Sequence, residues 1–340
     1  MSKDIIVIGT SAGGIEALRT LVAGLPRDFK AAVFIVLHTS PEWPGILDKI
    51  LSKAGSLPAI VAQDRERIRP GRIYLARSDH HLIIEPGTVR VTRGPKENRF
   101  RPAIDPLFRS AAQTYGPRVI GVVLTGGLDD GTAGLWAVKR LGGTAIVQDP
   151  EDALVPSMPR SAMRHVKVDY CVPVVEIPNL LVDLTAEPSR EGACDVPEEM
   201  EIEVRIAKDG VGLDAGVLKL GVPSNYTCPE CHGVLLQVRE ETRTRFRCHT
   251  GHAFSVDNLM AAVSDGVEEA LWNAIRSIEE KILLMRQLAK HVGRTNGGGS
   301  NEERYQKRAD EAQRQVDLVR EAVLHHDENP GVSTPATVEG

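Results

Sequence analysis

The sequence predicts an α/β protein, a doubly wound and mainly parallel sheet, followed by a small zinc-ribbon module and a C-terminal α-helical hairpin. Three observations lead there. Short apolar runs without polar interruption (Ile5-Ile6-Val7-Ile8, Ala32 to Leu37, Val119 to Leu124) alternate with helix-like stretches through residues 1–185, as in strands buried on both faces of a parallel sheet. Cys228-Pro-Glu-Cys231 and Cys248-His-Thr-Gly-His252 form two paired sets of metal-ligand residues. From Ser255 onward, apolar residues recur at helical spacing.

The first strand runs into Gly9-Thr10-Ser11-Ala12-Gly13-Gly14, and a helix is predicted from about Ile15. A serine on such a turn stands above the end of its strand, with a helix N-terminus behind it to favour a developing negative charge. Glycines in this position also cradle dinucleotides, but that reading fails twice. Ser11 occupies the middle glycine position, and the second strand, Ala32 to Leu37, ends in His38 rather than an acid. A lone histidine after a strand is usually a structural hydrogen-bonder. Ser11 at the equivalent place on the next strand makes His38 a candidate base. The segment Ile73 to Thr92 reads as a hairpin about Glu85-Pro86-Gly87, appended to the sheet. The strand Val119 to Leu124 then enters Thr125-Gly126-Gly127-Leu128-Asp129-Asp130-Gly131. A carboxylate here can orient an imidazole, or it can cap the helix beginning at Gly131. Two adjacent acids allow both roles.

These residues carry a resemblance. The segment from Asp4 to Leu184 resembles the catalytic domain of the chemotaxis protein-glutamate methylesterases of CheB type. The shared blocks are G-T-S-A-G-G at 9–14, H-T-S-P at 38–41, D-H-H-L at 79–82, R-P-A-I-D-P-L-F at 101–108, T-G-G-L-D-D-G at 125–131 and M-P-R-S-A at 158–162. The resemblance implies Ser11 as nucleophile, His38 as base and Asp130 as orienting carboxylate. Backbone amides of Ala12, Gly127 and Leu128 would hold the oxyanion, and Arg101, Asp105 and Met158 would lie near the cleft. Two positions depart from the family pattern. Gly127 precedes Leu128 where the family has a bulky residue and then glycine, and Ala103 stands where serine is common. The implied activity is hydrolysis of γ-glutamyl methyl esters on a protein, such as a chemoreceptor in chemotaxis-like signalling, with no cofactor for the chemistry. Glutamine deamidation by the same triad is the first alternative. A vestigial scaffold carrying a zinc-ribbon interaction module is the second. Family members usually carry a receiver domain ahead of the catalytic domain. None is expected here, which leaves control to the C-terminal parts.

Composition narrows the remaining choices. A net charge of −5 argues against a nucleic-acid partner, and no apolar run approaches the roughly 20 residues that span a bilayer. Strand one begins almost at the N-terminus, with no room for a signal peptide, so a cytoplasmic protein is expected. Cys171 reads as a buried small hydrophobe and Cys194 as incidental. Residues 186–221, polar and acidic at their start, read as a linker. In 222–255, Cys228, Cys231, Cys248 and His252 have the spacing of a closed structural zinc site. His249 is the rival fourth ligand, disfavoured because it adjoins Cys248.

Residues 256–326 read as the helical hairpin. Ser255 would cap a first helix with Leu259, Val263, Val267, Leu271, Ile275, Ile278, Ile282, Met285 and Leu288 on one stripe. Asn296-Gly-Gly-Gly-Ser300 breaks it. A second helix carries Tyr305, Ala309, Ala312, Val316, Val319 and Val323 at coiled-coil-like spacing. So thin an Ala/Val seam suits self-packing, a partner helix or a second copy. The tail, 327–340, reads as disordered.

Overall fold

The computed structural model describes residues 2–39, 45–189, 195–240, 243–295 and 299–327. Pro41, Cys194, the acids Glu191 and Glu241, the glycine break at 296–298 and the tail from 328 lie outside the described residues. The first part of the chain runs β1 (Ile5–Thr10), α1 (Gly14–Ala23), β2 (Ala32–Leu37), α2 (Leu47–Ala54), β3 (Ala59–Val61), β4 (Arg72–Leu75), β5 (His81–Glu85), β6 (Thr88–Thr92) and α3 (Ile104–Tyr115). It continues through β7 (Val119–Val123), α4 (Thr132–Arg140), β8 (Thr144–Gln148), α5 (Ser157–His165), β9 (Tyr170–Val172) and α6 (Ile177–Ala186). Beyond these come α7 (Glu198–Asp209), α8 (Gly212–Ala215), β10 (Val222–Thr227), β11 (Val234–Arg239), β12 (Thr244–Cys248), β13 (Ala253–Ser255), α9 (Val256–Thr295) and α10 (Gly299–Asp327).

Seven parallel strands form the main sheet in the order β3-β4-β2-β1-β7-β8-β9. Every residue of β1 and β2 is buried, because helices cover both faces. Alternation along β1 shows this directly. Ile5 and Val7 join one core with Leu107 of α3 and Leu135 of α4, while Ile6 and Ile8 join the other with Leu18 of α1 and Leu181 of α6. Each such isoleucine contributes about 1.5–3 kcal/mol through burial. The chain winds from β1 outward through β2, then returns to the other side of β1 as β7. That reversal makes a topological switch point at the carboxyl ends of β1 and β7, where open parallel sheets bind ligands.

Three local expectations need correction. The hairpin is β5–β6, a two-stranded sheet of its own, while Arg72–Leu75 enters the main sheet as β4. Cys171 is exposed, because β9 is an edge strand with one neighbour. The segment expected as linker folds from residue 198 as α7, whose first-turn acids Glu198, Glu199 and Glu201 hide an apolar face. Met200, Ile202 and Ile206 are buried, and Thr92 Oγ1 donates to Ala207 O at 2.8 Å.

Residues 2–259 form one compact unit, and a buried ion network explains why. Arg109 of α3 donates to Glu97 at 2.6 Å. Arg247 of β12 donates to Glu97 at 3.0 Å and to Glu203 of α7 at 2.8 Å, and Arg245 grips Glu203 at 2.8 and 3.0 Å. Burial pushes the Glu203 carboxyl up, yet three arginines hold it well below the usual range. Beside this network, Asn98 N–H donates to Ala253 O at 2.8 Å. Asp129 accepts from Ser255 Oγ at 2.6 Å and Asn258 Nδ2 at 2.5 Å, while Ser255 Oγ caps α9 by accepting from Asn258 N–H at 3.1 Å. The antiparallel sheet β10-β11-β12-β13 is thus part of the body that carries the parallel sheet.

The second unit comprises residues 260–327. Ile275, Ile282 and Met285 of α9 bury Ala309, Ala312, Val316 and Val323 of α10, and Arg320 pairs with Glu279. Val263 and Val267, earlier on the stripe, are exposed.

Two outcomes are expected. Glu203→Ala leaves buried arginines without their shared anion and should destabilise unit one by about 3–5 kcal/mol in urea melts. A loss below about 1 kcal/mol would contradict the network's role. For Asp129, burial and the charges of Asp257 and Asp130 push the carboxyl from 3.8 up to about 6. The unfolded chain therefore releases this proton first, and the contribution to stability falls as pH rises from about 4 to 6. Asp129→Asn removes that term, so its Tm relative to wild type should rise across this window and then level off. A difference independent of pH contradicts the assignment.

Candidate active site and metal centre

Ser11 and His38 follow directly from the register of β1 and β2. Thr10 pairs with Leu37, so the next residues on the two strands are neighbours at the carboxyl edge. Ser11 N–H donates to Thr125 O at 3.0 Å and His38 N–H to Thr10 O at 3.1 Å, which pins both turns to their strands. Gly13, with φ of 77°, turns the chain into α1. A Cβ at Gly126 would collide with Met158 and with Ser11 Cβ, so only glycine lets the turn after β7 lie against the serine.

Asp130 sits opposite, with its side chain fully buried. Its Oδ2 is 2.7 Å from His38 Nε2 and accepts the Ile104 N–H at 2.7 Å. Its Oδ1 accepts from Asn98 Nδ2 at 2.9 Å and faces Asp105 N–H at 3.4 Å. The carboxylate thus occupies the N-terminus of α3, where Ala103 offers no side-chain cap. Burial pushes the Asp130 carboxyl up, but the hydrogen bonds from His38, the Ile104 amide and Asn98 outweigh it and hold it below the ordinary value. Asp105 shows the reverse. Burial and the neighbouring Asp130 charge push it up to about 8, so at neutral pH the negative charge resides on Asp130.

With Asp130 ionised, His38 Nε2 carries the proton it donates. His38 Nδ1 is buried with no hydrogen-bond partner among the described residues, and the ring lies flat on Phe100, with centroids 3.7 Å apart. Asn98 and Phe100 went unread in the sequence. Neither belongs to a periodic pattern, and Asn98 acts from a left-handed backbone, with φ of 50°. Asp129 does not cap α4, whose N-cap is Gly131. Leu128 adopts φ of 59°, the conformation for which the family pattern supplies glycine at this position. The Ala12 and Gly127 amides donate to none of the described residues, and the space above Gly127 is open. Met158 is buried beside Gly126, and Arg101 is turned to Asp79 at 2.6 and 2.8 Å.

Among the described residues, one Cys/His group can hold a metal ion: Cys228, Cys231, Cys248 and His252, whose ligand atoms all lie within 4.8 Å of one another. The β10–β11 turn supplies the first pair, folded by His232 N–H donating to Cys228 O and Cys228 N–H to Gly233 O, both at 2.8 Å. The β12–β13 turn supplies the second, closed by Cys248 N–H donating to His252 O at 3.0 Å. Cys231 and Cys248 Sγ are 3.6 Å apart, and His252 Nδ1 is 3.5 Å from Cys248 Sγ and 3.8 Å from Cys228 Sγ. Tetrahedral bonds of about 2.3 Å to sulfur imply ligand edges of roughly 3.8 Å, so the donor set fits a four-coordinate ion. His249 is not in the group.

Comparison with known proteins gives a consistent picture. Residues 6–181 match the family model described as CheB methylesterase. A protein-glutamate methylesterase/protein-glutamine glutaminase of Anaeromyxobacter dehalogenans is 38% identical over 182 residues, 54% of this chain and 53% of that protein. One from Thermotoga maritima is 36% identical over 188 residues, covering 54% of this chain and 55% of that protein. A Leptospira interrogans relative whose name carries the same two activities is 40% identical over 185 residues, 54% of this chain and 96% of that protein. The crystal structure of the Thermotoga maritima CheB methylesterase catalytic domain superposes with a TM-score of 0.52 at 36% identity, covering 54% of this chain and all of that one. The chain belongs to the CheB methylesterase family.

Proposed function

We propose that this protein is a serine hydrolase that removes methyl esters from γ-glutamyl residues of a protein, with Ser11, His38 and Asp130 as its triad. The observation that carries this reading is the 2.7 Å hydrogen bond between His38 and a fully buried Asp130, beside Ser11. Asp130 fixes the tautomer in which His38 Nδ1 keeps its lone pair. That nitrogen takes the Ser11 proton as Oγ attacks the ester carbonyl. Amides of Ala12, Gly127 and Leu128 receive the oxyanion. His38 returns the proton to the departing methanol, then activates water to release the glutamate side chain from Ser11.

Glutamine deamidation needs the same tetrahedral intermediate, with ammonia as leaving group, and the relatives' names carry both activities. Catalysis itself uses no cofactor in this scheme. Zinc is the ion we assign to Cys228, Cys231, Cys248 and His252, where it would hold two turns of the antiparallel sheet together as a closed structural site. A methylated chemoreceptor is the substrate class we favour, in chemotaxis-like signalling in the cytoplasm. No helix among the described residues is long and apolar enough to cross a membrane. Exposed Val263, Val267 and Trp272 on α9 are the surface by which a partner helix or a second copy would engage the enzyme.

Methanol release from methyl-labelled receptor, with ammonia release from the unmodified glutamine form measured in parallel, tests the reaction. Ser11→Ala should cut methanol release at least about a thousandfold with an unchanged fold, because triad members act as a unit. Asp130→Asn should cost several orders of magnitude by stabilising the wrong imidazole tautomer, while Asp129→Asn costs little. A folded Ser11→Ala variant with full turnover removes the triad from consideration, and the reverse order at the two aspartates shifts the orienting role to Asp129. Metal analysis should find about one zinc per chain, falling sharply in Cys228→Ser. Full metal content in that variant contradicts the ligand set.

A further inference from the structure

A cavity of about 370 Å3 lies between α4, α7 and the β11–β12 hairpin, lined by none of Ser11, His38 and Asp130. Its walls differ in kind. One is apolar, made by Trp136, Met200, Leu220 and Val238. The other is cationic: among the described residues, six Lys or Arg side chains line the cavity against three glutamates. Two of those glutamates are already engaged, Glu203 by Arg245 and Arg247 and Glu240 by Arg243 and Arg245.

Several of the guanidinium groups retain free donors. Arg243 pairs with Glu240 through Nε and lies over the Trp136 ring, with Cζ 5.3 Å from its centroid, but its Nη1 is buried with no hydrogen-bond partner among the described residues. Its side chain is only 9% exposed. Arg109 Nη1, on a side chain 2% exposed, likewise has no hydrogen-bond partner among the described residues. Arg140 approaches the Trp136 ring at 5.4 Å, and Arg239 projects from β11 at the exposed rim. A buried guanidinium N–H left without an acceptor is costly, and an incoming oxyanion supplies the missing acceptor. Arginine forks match phosphate oxygens in pairs, and the indole wall suits a flat apolar body.

We propose that this cavity is a binding site for a small phosphate-bearing molecule of nucleotide size, its phosphate held by Arg243 and Arg239 and its body against Trp136 and Met200. The site is separate from the hydrolytic cleft and does not depend on its chemistry. Titration calorimetry on the full chain with AMP, and separately with inorganic phosphate, tests it. One saturable site for AMP is expected, tighter than for inorganic phosphate because the apolar wall contributes. Arg243→Gln should weaken AMP at least tenfold. Because Arg243 also pairs with Glu240 and its loss can disturb the fold, Arg239→Gln at the exposed rim provides an independent reading and should weaken AMP several-fold with an unchanged Tm. The proposal fails if neither probe saturates at millimolar concentration, if both variants bind as wild type, or if inorganic phosphate binds as tightly as AMP.

Discussion

Asp130 is a carboxylate with no exposed surface that keeps its charge because donors converge on it from three elements. His38 reaches it from the end of β2, the Ile104 amide from the start of α3, and Asn98 from the segment before α3. An isolated ion in that position would cost several kcal/mol or would simply take up a proton. The hydrogen bonds therefore stabilise the charge and fix the imidazole in the same act. They also divide labour between two acids a few ångströms apart. Asn98 bridges them through one amide nitrogen, and the proton goes to Asp105. Removing any one donor should shift that balance.

The same anchor extends to the C-terminal part of the first unit. Asn98 Oδ1 accepts the Ser255 amide at 3.0 Å, and Asp129, next in chain to Asp130, holds Ser255 and Asn258. The start of α9 is thus fastened to the turn that follows β7. The Glu97–Arg247–Glu203 network fastens β12 and α7 to the back of α3. A region expected to be joined by a linker is instead built into the body that positions Ser11, His38 and Asp130. Changes in β12 or α7 should be felt at α3, the helix whose N-terminus Asp130 occupies.

How far the sequence could be read depended on whether the governing interaction was local or long-range. The second strand was legible to the residue, Ala32–Leu37, because an unbroken apolar run leaves no other choice. The places of Ser11, His38 and Asp130 were legible because strand ends and glycine-rich turns leave a mark in the sequence. Asn98 and Phe100 could not, since their importance arises from contacts with residues 32 and 62 positions away. Acids at the start of α7 concealed its apolar face, and Cys171 lost its expected burial only because β9 forms the sheet edge. Arg245 and Arg247 of β12 pair with Glu203, Glu97 and Glu240, acids that lie far from them or outside their strand and that no local pattern connects to them.

In the proposed reaction, ionised Asp130 holds His38 in a single tautomer with Nδ1 free for Ser11. Nitrogen-15 NMR of the His38 imidazole in full-length protein at neutral pH measures this directly. Nε2 should be protonated, with its proton far downfield in a strong hydrogen bond, and Nδ1 unprotonated, an arrangement abolished in Asp130→Asn. A His38 protonated at Nδ1 and bare at Nε2, or a spectrum unchanged by loss of the carboxylate, would contradict it.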